Sequence, residues 1–435
     1  MRRAETANDI AWARVFAQID ILATVQAHGF VVVSADDLKR FGGREPRLMA
    51  KLDTISSLPE VFRNNALTIF PTRNGEYAIF SDPEFKTYFT LAESSYPTTI
   101  EMYQPRVDLR TFDAFPGLQR LNESQALDFA LVSSLLRHVT NDSGLNLVIR
   151  GRTYSGRFDF ALPNSSKRVQ VEGVQIEVDG GYESGDVIVL VEAKIGRRVD
   201  FNMRQLYYPY LEWSARSSKR IVPLFLVVTN GLFYFFEIKF GSKFGELSIA
   251  QARGFSFDES PVTRIELATA FSRVPIESEP LDIPFPQAND LDKVVDLISM
   301  LETGSADKRA IAEYFEFDTR QSDYYGNAAA YLGFAHRRGS GFEITALGRR
   351  FIAEERRAAR TIRLFEQLLR RPIWRDVLRL LFNRSMQIDS ISSDDVVSAI
   401  RARTGKPLSE NTIVRRSQTV LSWLRWIDQN VTLVE

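Results

Sequence analysis

Residues 173–210 read GVQIEVDGGYESGDVIVLVEAKIGRRVDFNMRQLYYPY. Two apolar strands, Val174 to Val178 and Val187 to Ile195, flank Asp179, a Gly180-Gly181 pair and a short polar stretch. The pattern predicts a hairpin that turns at Gly180-Gly181. The second strand is apolar throughout except for Glu192 and Lys194, and such a run is ordinarily buried on both faces. Side chains two apart on a strand share a face, so Glu192 and Lys194 project together and Ala193 points the other way. A carboxylate and an ammonium buried together must pair or hold a metal. The plainest reading is a buried Glu-Lys ion pair.

Asp179 supplies the alternative. Opposed side chains of two antiparallel strands lie within about 5 Å of each other. Asp179 and Glu192 are therefore placed to share one divalent ion, with the Ala193 carbonyl as a third oxygen ligand. Few, hard oxygen ligands with room for water suit Mg²⁺. Lys194 beside that ion is suited to orient or deprotonate a water and to offset phosphate charge, which is the chemistry of metal-assisted phosphodiester hydrolysis.

Asp179, then Glu192-Ala193-Lys194 on the next strand, then an amphipathic helix bearing Gln205, resemble the PD-(D/E)xK nuclease superfamily. The segments Asp200 to Tyr210 and Arg44 to Asp53 narrow the likeness to a branch of type II restriction endonucleases. The nuclease core covers about residues 120 to 240. The resemblance implies a Mg²⁺-dependent, site-specific endonuclease for double-stranded DNA, with Gln205 supporting the site. It also implies a homodimer cutting both strands, and a cognate DNA methyltransferase that protects the same site in the host. Val178 stands where that motif has its Pro, which leaves the first acid open: Asp159, in Gly156 to Phe160, and Glu177 are rivals to Asp179. Other readings are a DNA-binding regulator on a nuclease scaffold that no longer cuts, an exonuclease, and a phosphatase of small molecules.

Composition bounds these readings. With 44% hydrophobic and 25% charged residues the chain has the balance of soluble globular proteins, and 435 residues call for two to four domains. The absence of Cys excludes disulfides and thiolate metal sites, so a reducing cytoplasm is the expected location. Only His28, His138 and His336 are present, which argues against a His-based zinc site. No apolar run reaches the ~20 residues of a membrane span, and the N-terminus lacks a signal-peptide apolar segment. Lys plus Arg and Asp plus Glu number 55 each, so DNA binding would have to rest on local basic faces.

Residues 1–95 read as helices followed by a hairpin, Leu67 to Phe80, turning at Asn74-Gly75. That is the plan of a winged helix, with Arg44, Arg47, Lys51, Arg63 and Arg73 as candidate DNA contacts; a solvated basic face is the alternative. Residues 96–252 hold the expected nuclease domain, with helices over Asn122 to Asn141, including Glu123, and over Phe201 to Arg216. Pro261, Pro280, Pro284 and Pro286 mark 253–286 as a linker or arm. A second winged-helix-like domain is expected over 287–360, with Arg337 and Arg338 on its wing. A helical, helix-turn-helix-like domain is expected over 361–435. It contains Leu364 to Phe382, Ser393 to Thr404, and a last helix with Arg415 and Arg416 near its start. The expected fold is α/β: a restriction-endonuclease-like core, a mixed sheet flanked by helices, between winged-helix-like units at both ends.

Overall fold

Val187–Ile195 lies inside a seven-stranded mixed sheet in the computed structural model of the chain. The structure describes residues 6–162, 166–241, 244–257, 262–315, 317, 319–385, 387–403 and 408–432; Pro261 of the expected linker and Thr404 at an expected helix end lie outside them. The sheet strands are β1 (Ile100–Met102), β2 (Asn146–Tyr154), β3 (Gln175–Glu183), β4 (Val187–Ile195), β5 (Arg220–Thr229), β6 (Leu232–Phe240) and β7 (Leu247–Ser256). They lie side by side as β1-β7-β6-β5-β4-β3-β2. β4 runs parallel to β5 and β7 parallel to β1; the other neighbours are antiparallel.

Every residue of β4 but Ile195 is buried. Val187, Val189, Val191 and Ala193 pack under helices α1 (Glu123–Val132) and α2 (Leu135–Thr140). Ile188 and Leu190 pack under α3 (Arg204–Arg216). Burial on both faces accounts for the unbroken apolar run. The parallel β4–β5 pair needs a crossover, and α3 supplies it. The helix expected over Asn122 to Asn141 is broken into α1 and α2 at Ser134, which takes a left-handed conformation with φ 65°.

The hairpin differs from expectation. β3 runs straight through Gly180 and Gly181, which pair with Val191 and Leu190, and the chain turns at Ser184, whose N–H donates to the Val187 carbonyl. A Cβ on Gly181 would stand 2.5 Å from Ile149 Cβ, and one on Gly180 2.8 Å from the Tyr182 hydroxyl. These glycines serve close packing within the sheet rather than a turn.

The N-terminal unit has helices Ala7–Gln18 and Ile21–His28, strand Phe30–Ser34, short helices, and the hairpin Leu67–Arg73/Glu76–Ser81. Its three strands lie in the order first-third-second. Gly75 supplies the positive φ, 78°, of the two-residue turn. Phe70, Ala78 and Phe80 of this hairpin join the apolar cluster that holds Ile188 and Leu190, so the unit packs on the α3 side of the sheet.

Beyond the sheet, one apolar cluster extends from Val262 to Val431. It gathers helix Arg264–Arg273, α4 (Leu291–Met300), α5 (Lys308–Phe315), α6 (Thr319–Tyr331), the hairpin Ala335–Arg338/Gly341–Ile344, and helices Arg357–Leu369, Pro372–Asn383, Ser393–Arg403 and Glu410–Gln429. Strand Ala306–Asp307 and the hairpin again lie in the order first-third-second. Two expected boundaries are therefore not separations. Residues 253–256 complete β7, and Leu267 and Ala270 of the expected linker are buried in this cluster. The 360/361 boundary falls within helix Arg357–Leu369, whose Leu364 and Phe365 are core residues. Prolines mark bends in the chain, but the apolar side chains between them decide where a unit ends. Among the described residues no helix is long and apolar enough to cross a membrane.

Candidate active site

The ladder between β3 and β4 ends at the pair Gly180–Val191. Past that point the two strands part, and side chains rather than backbone fill the fork. Asp179 Oδ2 accepts from the Ala193 N–H at 2.9 Å. A residue's N–H and C=O leave a strand on the same side, so the Ala193 carbonyl also faces the fork. Glu192 and Lys194 project together on the α3 side, with Lys194 Nζ 2.7 Å from Glu192 Oε1. Gln205, in the first turn of α3, donates from Nε2 to the same Oε1 at 2.8 Å. The five residues singled out from sequence as Asp179, Glu192, Ala193, Lys194 and Gln205 thus form one cluster.

Its electrostatics follow from burial. Glu192 and Lys194 are 5% and 7% exposed. Burial pushes the Glu192 carboxyl up to about 8; the Lys194 ammonium opposes that rise, and the charges of Asp179 and Glu123 add to it. The carboxyl is therefore shifted toward its protonated form near neutral pH. Gln205 Oε1 is buried with no hydrogen-bond partner among the described residues. Among those residues no group of three or more His, Asp or Glu side chains converges as a metal site. Two carboxylates and a carbonyl, with water completing the shell, are a donor set that suits Mg²⁺.

Sequence reasoning missed the part played by Glu123. It opens α1 just after the capping residue Asn122, and its carboxylate reaches to 3.9 Å from Lys194 Nζ. Its signal was an acid in the first turn of the helix that precedes the sheet strands. The rivals for the first acid lie elsewhere. Asp159 sits on a separate two-stranded hairpin, Phe158–Ala161/Arg168–Val171, in an ion pair with Arg168. Glu177 is half exposed on β3 and meets Arg152 of β2 at 3.4 Å.

The candidate DNA contacts are spread over three places. Arg47, Lys51 and Arg73 are exposed on the N-terminal unit and Arg44 is half-buried there; Lys51 stands 3.7 Å from Asp53. Burial raises the Tyr77 hydroxyl, and Arg204, Glu45 and Arg47 are among the charges that act on it. Arg337 and Arg338 lie on the C-terminal hairpin and are engaged by Asp323 and Glu343, each at 2.9 Å. Arg415 and Arg416 lie in the first half of helix Glu410–Gln429, and Arg416 faces a cavity walled by Pro280 to Phe285. The structure does not bring these three groups together.

The fold and cluster define a mixed α/β protein with an acid–lysine–glutamine group at a strand fork. Three stretches match families of proteins: residues 9–79 match Domain of unknown function (DUF6996), residues 83–256 Domain of unknown function (DUF6997), and residues 293–432 Domain of unknown function (DUF7226). The three matches fall on the N-terminal unit, the sheet and the C-terminal unit. No curated protein and no solved structure matches the chain.

Proposed function

We propose that the chain is a Mg²⁺-dependent endonuclease that hydrolyses phosphodiester bonds of double-stranded DNA at a specific short sequence, as a type II restriction enzyme does. The observation that carries the reading is the convergence of Asp179, Glu192, Lys194 and Gln205 at the fork between β3 and β4, with both donors on one Glu192 oxygen. The core is read as restriction-endonuclease-like. Both flanking units, with helices before a hairpin and strand order first-third-second, are read as winged-helix-like. Arg337 and Arg338 would contact phosphate only by exchanging surface ion pairs, each worth under about 1 kcal/mol. The resemblance extends the proposal to a homodimer and to a methyltransferase that modifies the same site.

In this reading Asp179, Glu192 and the Ala193 carbonyl would hold Mg²⁺, which when bound would supply a Lewis acid for a phosphoryl oxygen and a more acidic water. Glu192 must first give up its proton. Gln205 then fixes the orientation of the carboxylate by its bond to Oε1. Lys194 lies between Glu192 and Glu123, where its side chain would offset the negative charge that builds on the phosphoryl oxygens as a water oxygen bonds to phosphorus, losing its proton to solvent, and the ester oxygen leaves. Asp179, tied to the Ala193 N–H, keeps the two strands at a fixed separation.

The test is incubation with plasmid and Mg²⁺. Discrete fragments are expected from the wild-type chain, and none from Glu192→Gln or Asp179→Asn, with specific DNA retention unchanged in both variants. Normal cutting by Glu192→Gln at saturating Mg²⁺ would remove the site assignment. One observation favours a second reading: the closed Glu192–Lys194 pair at 2.7 Å is also what a scaffold that binds DNA without cutting would show. Intact plasmid with a sequence-specific gel shift would select it.

A further inference from the structure

Lys194 and Gln205 both donate to one oxygen of Glu192, so the cluster depends on how the end of β4 sits relative to the start of α3. Residues 195–204 join those two points, and the flanking units grip them from both sides. The N-terminal unit holds the second half. The Asn202 N–H donates to the Asp53 carbonyl at 2.8 Å, and Asp200 accepts from the Ile55 N–H at 3.0 Å. Asp200–Asn202 also pairs as a strand with Tyr88–Thr90. The C-terminal unit holds the first half. Arg197 stacks on Tyr96 at 4.1 Å, with Asp290 and Asp292, at the start of α4, 3.9 and 3.8 Å away. Gly196, with φ +84°, lies against the ring of Phe315, where a Cβ would come within 3.2 Å.

Asn202 makes the link to Gln205 explicit. It is 3% exposed. Its Nδ2 donates to the Leu52 carbonyl of the N-terminal unit at 3.0 Å, and its Oδ1 accepts from the N–H of Arg204, the first residue of α3, at 3.0 Å. One side chain therefore joins the N-terminal unit to the helix turn that presents Gln205. A cap for α3 alone would need only the oxygen.

We infer that Asn202 and Arg197 are positioning residues through which the seating of the two flanking units sets the Glu192–Lys194–Gln205 cluster. The inference rests on the nuclease reading for its consequence, but not for its test. Asn202→Ser keeps an oxygen for the Arg204 N–H and gives up the reach to Leu52; Asn202→Ala gives up both. In single-turnover cleavage at saturating DNA and Mg²⁺, both variants are expected to slow by about tenfold or more, the usual effect of removing a support for a site residue. DNA retention measured with Ca²⁺ in place of Mg²⁺ is expected to stay within about twofold, because no DNA-facing side chain changes. Wild-type cutting by Asn202→Ser would overturn the inference, as would equal losses of rate and DNA retention. Arg197→Lys, which keeps the charge facing Asp290 and Asp292 but loses the planar stack on Tyr96, is expected to show the same split and carries the test if the Asn202 variants do not fold. Should the wild-type chain fail to cut any DNA, the nuclease reading falls, and Mn²⁺ titration without DNA decides the inference alone. Weaker Mn²⁺ binding by Asn202→Ser, by about tenfold, supports it, and equal affinity overturns it.

Discussion

Replacing Glu192 by Gln removes a charge that the fold must bury while keeping an oxygen for Lys194 and Gln205 to donate to. Burial raises the carboxyl from its ordinary 4.5 to about 8. A raised carboxyl pKa means that the contribution of Glu192 to stability is fully present below about 4.5 and is lost as pH rises through about 8. The loss levels off above that, at 8 minus 4.5 times about 1.4 kcal/mol per pH unit, or about 5 kcal/mol at most. The Gln variant has no such loss. Its advantage over wild type is expected to grow from about 1 kcal/mol at pH 5 to about 5 kcal/mol at pH 9. Hydrogen exchange of peptides covering Val187–Ile195, corrected for intrinsic exchange at each pH, reads the opening of this strand apart from the rest of the chain. Added Mg²⁺ is expected to protect the same peptides in the wild type and not in the variant. An advantage that stays constant from pH 5 to pH 9 would refute the reasoning, because it would mean that Glu192 does not titrate in this window.

Three further outcomes follow from the same geometry. Divalent-cation affinity, measured by calorimetry, is expected to rise with pH up to about 8 and then level, with one proton released per ion bound below that pH, since the cation displaces the Glu192 proton. Asp159→Asn and Glu177→Gln are expected to cut at wild-type rates while Asp179→Asn does not cut; a plasmid assay on the three variants that silences Asp159→Asn instead would move the first acid to the hairpin. Gly181→Ala places a Cβ 2.5 Å from Ile149, and the forced shift in a packed sheet is expected to cost about 1–3 kcal/mol, read as a lower thermal midpoint.

The cluster was legible because its chemistry violates the pattern around it. Glu192 and Lys194 stand out on β4 only because every neighbour is apolar, and the period of two places them on one face without further information. The Asn74-Gly75 turn was legible for a related reason, since its positive φ at Gly75 favours glycine. What local pattern could not supply is distance along the sheet. Gly180-Gly181 has turn composition, but the need for those glycines comes from Ile149 on a neighbouring strand, and from Tyr182 two residues along on the same face of β3 with Leu127 of α1 above it. Glu123 reads as an ordinary helix-capping acid until α1 is laid on the sheet. The stretch 264–273 lies among prolines, and only the burial of Leu267 and Ala270 shows that it belongs to a core. Asn202 falls within the Asp200 to Tyr210 segment, but nothing in that pattern shows its two side-chain hydrogen bonds, to Leu52 and to the start of α3.

The buried polar partners at the end of β5 lie far ahead in the chain. The Thr229 hydroxyl and the Asn230 N–H donate to Asp296 at 2.6 and 3.0 Å, and the Asn230 side chain donates to Asp292 at 3.1 Å. Thr229 and Asp296 are 67 residues apart, a gap the ribosome takes about 3 to 13 seconds to cross at about 5–20 residues per second. Until then the loop beside β4 holds donors without their acceptors, at about 1–3 kcal/mol for each one that is buried. A half-made chain would therefore carry Asp179, Glu192, Lys194 and Gln205 without the fixed frame that aligns them. Under the endonuclease proposal, that order of synthesis would delay alignment of the cluster until the C-terminal unit has been made.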